Sequence, residues 1–171
     1  IPFVLIANND VSVDNLTQQQ AIDIFTGKIT NWKDVGGKDQ KITIIHRPKS
    51  SGSRKTIETI VLKGASFTDN AVIQDSNGAV RAGIASTPGS IGYVDAAYAD
   101  KTVKMLAYNG VTYSLDNVAS GKYTIVTIGR MYTKGQPTGA VKAFIDYATS
   151  KEFQDKYVVE KGFVPVSKLP K

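Results

Sequence analysis

The sequence predicts a layered α/β domain. Three observations carry that prediction: the continuous apolar run Pro2 to Ala7, the apolar segment Lys41 to His46 running straight into a helix, and the mixing of helical and extended segments along the rest of the chain. No internal repeat is present. With 171 residues, 42% of them hydrophobic, the chain can build one full domain or two small lobes sharing a crossover.

Taken in order, Pro2 to Ala7 reads as a strand buried on both faces, ended by the turn residues Asn8, Asn9 and Asp10. Thr17 and Gln20 form a capping box ahead of Ala21, Ile22, Ile24 and Phe25, with Gly27 placed as the C′ glycine of that short helix. Trp32 and Val35 are expected to pack down before Gly36 and Gly37. Lys41 to His46 is then a strand leading into a helix from Arg54 to about Leu62. A polar turn around Thr68 to Asn70 precedes a small-residue helix from Asn77 through Ala85. Pro88, Gly89 and Ser90 turn into the strand Ile91 to Val94, and Asp95 is expected to cap a short helix after it.

Val103 to Tyr108 reads as a strand, Asn109-Gly110 as a tight hairpin turn, and Val111 to Tyr113 as the return strand. Tyr123 to Tyr132 alternates as a strand does. Gly129 to Gly139 is a loop or a hinge. Beyond it, Val141, Phe144, Ile145 and Ala148 fall on one face of a helix, a further helix runs from about Lys151 to Glu160, and Gly162 to Pro165 is extended.

Composition narrows the function classes. A net charge of +6 is compatible with nucleic acid, an acidic surface or a small anion as partner, but the lysines are spread along the chain without interleaved aromatics, which argues against nucleic acid. Cysteine is absent, so disulfides and cysteine metal sites are excluded. Asp14, Asp23, Asp34, Asp39 and Asp75 lack metal-loop spacing, and no cofactor motif is found. No apolar run approaches the roughly 20 residues of a membrane-spanning helix. The chain opens in a strand without an initiating Met or a signal-peptide pattern, as a processed or excised piece would.

The chemically informative stretch is Ile42 to Ile57. Ile42, Ile44 and Ile45 read as a buried strand and Pro48 stops it. Ser50, Ser51, Gly52 and Ser53 then occupy the start of a helix, where backbone N–H groups have no internal partners. Those donors, the positive end of the helix dipole and Arg47 favour a tetrahedral oxyanion. Serine before a helix is more often a plain cap. Here three serines stand where capping needs one, and Gly52 removes a side chain that would bar an anion from the backbone. The Walker spacing is absent, so no nucleoside triphosphate site follows. The candidate ligands are Arg47, Ser51, Gly52 and Ser53, with Ser50, Lys49, Arg54 and Asn77 as accessory candidates.

With these residues identified, the chain resembles the PstS family, the phosphate-binding component of bacterial phosphate ABC transporters. The resemblance rests on Val4 to Asn9, the block Ile24-Phe-Thr-Gly-Lys-Ile-Thr-Asn-Trp32 with Gly36-Gly37, Arg47 with Ser51-Gly52-Ser53, and Pro88-Gly-Ser-Ile-Gly-Tyr-Val94. Tyr132-Thr-Lys-Gly135, Phe144-Ile-Asp-Tyr147 and Gly162-Phe-Val-Pro165 extend it through the tail. It implies a periplasmic-binding-protein clamshell closing on one phosphate, with residues 8–125 as the second lobe and residues 1–7 and 126–171 as crossover strands and the C-terminal part of the first. It further implies an extracytoplasmic, lipid-anchored protein that is not an enzyme and delivers phosphate to a membrane permease. Ser53 stands where the family has Thr and keeps the hydroxyl. Lys49 stands where some relatives carry an acid that tempers the arginine. The family's leading first-lobe segment, expected to supply the carboxylate that excludes sulfate, has no counterpart here, and an open sheet edge could allow self-association.

Three other readings compete. An enzyme using Ser51 or Ser53 as nucleophile lacks a base: His46, the one histidine, should point away from its strand neighbour Arg47, and Lys49 reads as a solvated loop residue. A binder of another oxyanion such as sulfate, or an adhesion module on the same fold, would keep the lobe. The retained Arg47 and Ser-Gly-Ser argue against a degenerate seat.

Overall fold

The computed structural model describes residues 1–169. A five-stranded mixed sheet forms its centre, built from β1 (Phe3–Ala7), β3 (Thr43–His46), β4 (Val72–Ile73), β5 (Ser90–Asp95) and β6 (Lys104–Met105) in the order β4-β3-β5-β1-β6. β3 runs parallel to both β4 and β5, whereas β1 is antiparallel to β5 and β6. The expected opening strand therefore lies inside the sheet, and all five of its residues are buried. A separate parallel pair joins β2 (Asn15–Leu16) to β7 (Ala107–Tyr108).

Helices cover both faces. α1 (Gln18–Phe25) starts on the predicted capping box: Thr17 Oγ1 accepts from the Gln20 amide at 3.2 Å, and Gln20 Oε1 accepts from the Thr17 amide at 2.9 Å. α2 (Gly52–Ile60) follows β3, and α3 (Asn77–Ser86) follows β4 and packs over β1, β3 and β5. Successive residues of β5 serve opposite faces. At Gly92 an added Cβ would lie 2.2 Å from the Ile45 carbonyl oxygen and 2.8 Å from Ile84 Cδ1, so only glycine lets α3 sit this close. Tyr93 packs against Phe25 and Phe67.

The later segments depart from the sequence expectations. Val103 to Tyr108 is not one strand. It breaks at Leu106, because Lys104 and Met105 pair with β1 while Ala107 and Tyr108 pair with β2. The hairpin closes through a single bridge, Tyr108 to Val111, with Asn109 at φ 51° and Gly110 at φ 78°. Tyr123 to Tyr132 forms no strand. The segment touches the sheet through one bridge, Pro2 to Val126, with Ile125 accepting from the Phe3 amide at 2.9 Å. β2 and β4, two residues each, carry no sequence periodicity and were not foreseen.

α4 (Leu115–Ala119) is capped by Ser114. α5 (Gly139–Thr149) forms where predicted, yet none of its residues is buried: Val141 is 53% exposed and Phe144 65%, so its apolar face lacks a partner among the described residues. The next helix begins as α6 (Lys151–Phe153) and widens into a π-helical stretch, Gln154–Val158. No helix is long and apolar enough to cross a membrane among the described residues.

Candidate anion-binding site

The parallel strands β3, β4 and β5 end at the same edge of the sheet. Arg47 follows the last residue of β3, Asp95 closes β5, and the N-termini of α2 and α3 follow β3 and β4. A crevice beyond the carboxyl ends of parallel strands is the common ligand position in open α/β sheets.

At the start of α2, Ser51 is the N-cap, and its Oγ accepts from the Arg54 amide at 3.3 Å. That engages one of the free amides. The Gly52 and Ser53 amides have no hydrogen-bond partner among the described residues. Beyond its chain neighbours and its own helix backbone, no heavy atom of the described residues lies within 4 Å of the position a Gly52 Cβ would take, so no other part of the protein crowds that point. Ser51 is therefore a plain cap, and the two amides that follow it are left without a partner among the described residues.

Arg47 is half-buried. Its Nη1 donates to Oδ1 of Asn77, the buried first residue of α3, at 3.4 Å. Its Nε is buried with no partner among the described residues. Arg47, Ser51, Gly52, Ser53 and Asn77 therefore come together at one sheet edge.

Arg54, Lys49 and Ser50 do not join them in the same way. The Arg54 side chain turns inward: Nε donates to Glu58 Oε1 at 2.9 Å, Nη1 donates to the Arg47 carbonyl at 3.2 Å, and the guanidinium lies 4.9 Å from the Phe67 ring centre. Arg54 braces the seat from behind and is not placed as a ligand. Lys49 is exposed and lines a cleft with His46, Arg54 and Asp69, and Ser50 beside it in sequence is exposed. His46 is 1% exposed, its ring stacked 4.4 Å from that of Phe67 and its Nδ1 2.8 Å from the Arg47 carbonyl. Burial holds its imidazole below the usual range, with the nearby Arg54 charge acting in the same direction. It packs as a buried structural residue against Phe67.

Asp95 is the residue that sequence reasoning missed as part of the site. It was expected to cap the turn Ala96–Tyr98, but it makes no side-chain cap hydrogen bond. Instead Oδ1 is buried and unpartnered among the described residues. Burial pushes its carboxyl above the usual range, and Arg47 foremost, then the Ile1 amino group, Asn77 and Ser53, pull it back down. Only the strand order could have found it, because β3 and β5 are 47 residues apart at Thr43 and Ser90 yet adjacent in the sheet.

An α/β lobe of this kind, with helix starts and an arginine at one strand edge, is similar to known proteins. Residues 1–152 match the PBP superfamily domain. The phosphate-binding protein PstS of Bacillus subtilis (strain 168) is 42% identical over 163 residues, which cover 95% of this chain and 54% of that protein. The structure of a phosphate ABC transporter substrate-binding protein from Clostridium perfringens with bound phosphate aligns with a TM-score of 0.85 at 32% identity, covering 96% of this chain and 68% of that one. PstS from Borrelia burgdorferi aligns with a TM-score of 0.76 at 32% identity, covering 96% and 68%. The chain belongs to the PBP superfamily and, within it, to the PstS family of phosphate-binding proteins. It spans 54% of the length of its Bacillus relative.

Proposed function

We propose that this chain is the phosphate-gripping lobe of an extracytoplasmic solute-binding protein that captures inorganic phosphate and hands it to an ABC transporter permease. The observation that carries the reading is the pair of free amides at Gly52 and Ser53, at the same end of the parallel strands as the Arg47 guanidinium and Asn77. Arg47 supplies charge; the Ser53 hydroxyl and the two amides supply hydrogen bonds to separate oxygens of a tetrahedral anion. In this reading the protein binds its anion without transforming it, and His46, buried against Phe67, serves packing.

In this reading residues 8–125 form the second lobe, the crossover residues 1–7 lend it β1, and residues from 126 onward lead back toward the first. The unpartnered face of α5 supports that division, since Val141 and Phe144 are where another part of the longer protein, or a second copy, would pack. Lipid anchoring of the longer protein belongs to the same proposal.

Each charge-assisted hydrogen bond contributes on the order of 1.5–3 kcal/mol, so a single lobe should bind phosphate weakly, at about millimolar dissociation constant. Calorimetric titration of this chain with phosphate and sulfate tests the reading. Arg47→Ala should abolish detectable binding. Submillimolar binding that survives the substitution would place the seat elsewhere.

A further inference from the structure

Two complementary charged side chains stand at neighbouring strand ends, and each has an unpaired buried atom. Arg47 leaves β3 and Asp95 ends β5, the strand beside it. Arg47 Nε and Asp95 Oδ1 are both buried without a hydrogen-bond partner among the described residues. A buried carboxylate oxygen with no donor is costly, so its presence calls for a physical reason. Capping is not that reason, because Asp95 makes no cap bond to the turn that follows it.

The groups that act on Asp95 come from every element around it: Arg47 after β3, the Ile1 amino group ahead of β1, Asn77 at the start of α3 and Ser53 at the start of α2. Three of these four belong to the anion seat. In the loop between Arg47 and Ser51 the charged residue is Lys49, which adds positive field, so Asp95 is the carboxylate that answers Arg47.

We propose that Asp95 acts on Arg47 through its charge and makes oxyanion capture proton-linked: its carboxylate offsets the guanidinium when the seat is empty, and it takes up a proton when an anion enters. The inference rests on the oxyanion reading of the site. Its logic is electrostatic. An anion beside Arg47 is a like charge for Asp95 and occupies the guanidinium that had offset the carboxylate. Burial already favours the protonated form. Once protonated, the carboxyl carries an O–H donor in place of a repelling charge.

The consequence is cleanest for sulfate, whose charge does not change near neutral pH. Its affinity should fall as pH rises through the Asp95 titration, by at most about tenfold per pH unit for one proton taken up. Asp95→Asn, a neutral isostere, should bind sulfate at least as tightly at neutral pH and without that slope.

The experiment has two arms on the full chain. Carbon-detected NMR of the Asp95 carboxyl follows its titration in the unsubstituted protein and in Arg47→Ala, and calorimetry follows sulfate affinity against pH in the unsubstituted protein and in Asp95→Asn. The expected result is an Asp95 midpoint raised by Arg47→Ala and a sulfate slope abolished by Asp95→Asn. A midpoint unmoved by Arg47→Ala, or a slope that persists in Asp95→Asn, overturns the proposal. If neither phosphate nor sulfate binds at any pH, the oxyanion reading and the proton linkage fall together, while the NMR arm still decides whether Asp95 and Arg47 are coupled.

Discussion

The indole nitrogen of Trp32 donates to the carbonyl oxygen of Gly89 at 2.9 Å, with Trp32 fully buried. This bond ties together two motifs that lie 57 residues apart, the one ending in Asn31-Trp32 and the Pro88-Gly89 turn that launches β5. Trp32→Phe would leave the Gly89 oxygen without its donor and open space beside it. A loss of about 1–3 kcal/mol is expected from the unsatisfied carbonyl alone. Urea unfolding followed by far-UV circular dichroism checks it. A loss under half a kcal/mol, roughly, would show that water replaces the indole at no cost.

Gly92→Ala should be far more damaging than an ordinary added methyl group. The new Cβ would meet the Ile45 carbonyl oxygen at 2.2 Å, and backbone on a neighbouring strand cannot step aside as a flexible side chain can. Soluble yield and melting temperature should both drop sharply, whereas Gly52→Ala, with nothing within 4 Å, should fold normally. Gly52→Ala nevertheless brings a methyl group into the anion's approach, so phosphate titration of that folded variant should show weaker binding.

Glu58→Gln removes the charge that balances Arg54. The Arg54 side chain is 8% exposed and that of Glu58 23%, at 2.9 Å. Breaking a wholly buried pair costs about 3–5 kcal/mol; with Glu58 in partial contact with water, about 2 kcal/mol is expected. Because Arg54 also donates to the Arg47 carbonyl, the amide signals of Arg47 to Ser53 should shift in NMR spectra of the variant. Unchanged signals there would mean that Arg54 does not brace the seat.

His46 predicts an acid-side loss of stability. The fold holds its imidazole below the usual range, mainly by burial, so the unfolded chain binds the proton more readily than the folded one. Stability is therefore intact above the ordinary imidazole range and declines as pH falls through it toward the depressed folded value. Comparing denaturant midpoints at about pH 7.5 and about pH 5 tests this. His46→Gln, which cannot titrate, should lose less between the two; an identical loss would assign the effect to other groups.

Much of the local structure was legible in the residues. The Thr17 and Gln20 capping box, the buried run of β1, and the serine-capped start of α2 depend on interactions within a few residues, so their spacing alone carries them. Tyr123 to Tyr132 misled because alternation describes a strand only when another strand offers its hydrogen bonds, and here one bridge is all that forms. α5 kept its helical period while its apolar face found no partner among the described residues, since period specifies a helix and not what covers it.

By itself the sequence determined the near components of the proposed anion seat: an arginine, a capping serine, and unpaired amides at a glycine and a serine, all within Arg47 to Ser53. Only the tertiary structure decided which of the other charges take part. It turned Arg54 inward to Glu58, brought Asn77 to Arg47, and put Asp95 and the arginine at the ends of adjacent parallel strands. The physical reason is range. Capping and dipole effects act within a turn of helix, whereas the field a charge feels depends on neighbours that strand order alone puts in place.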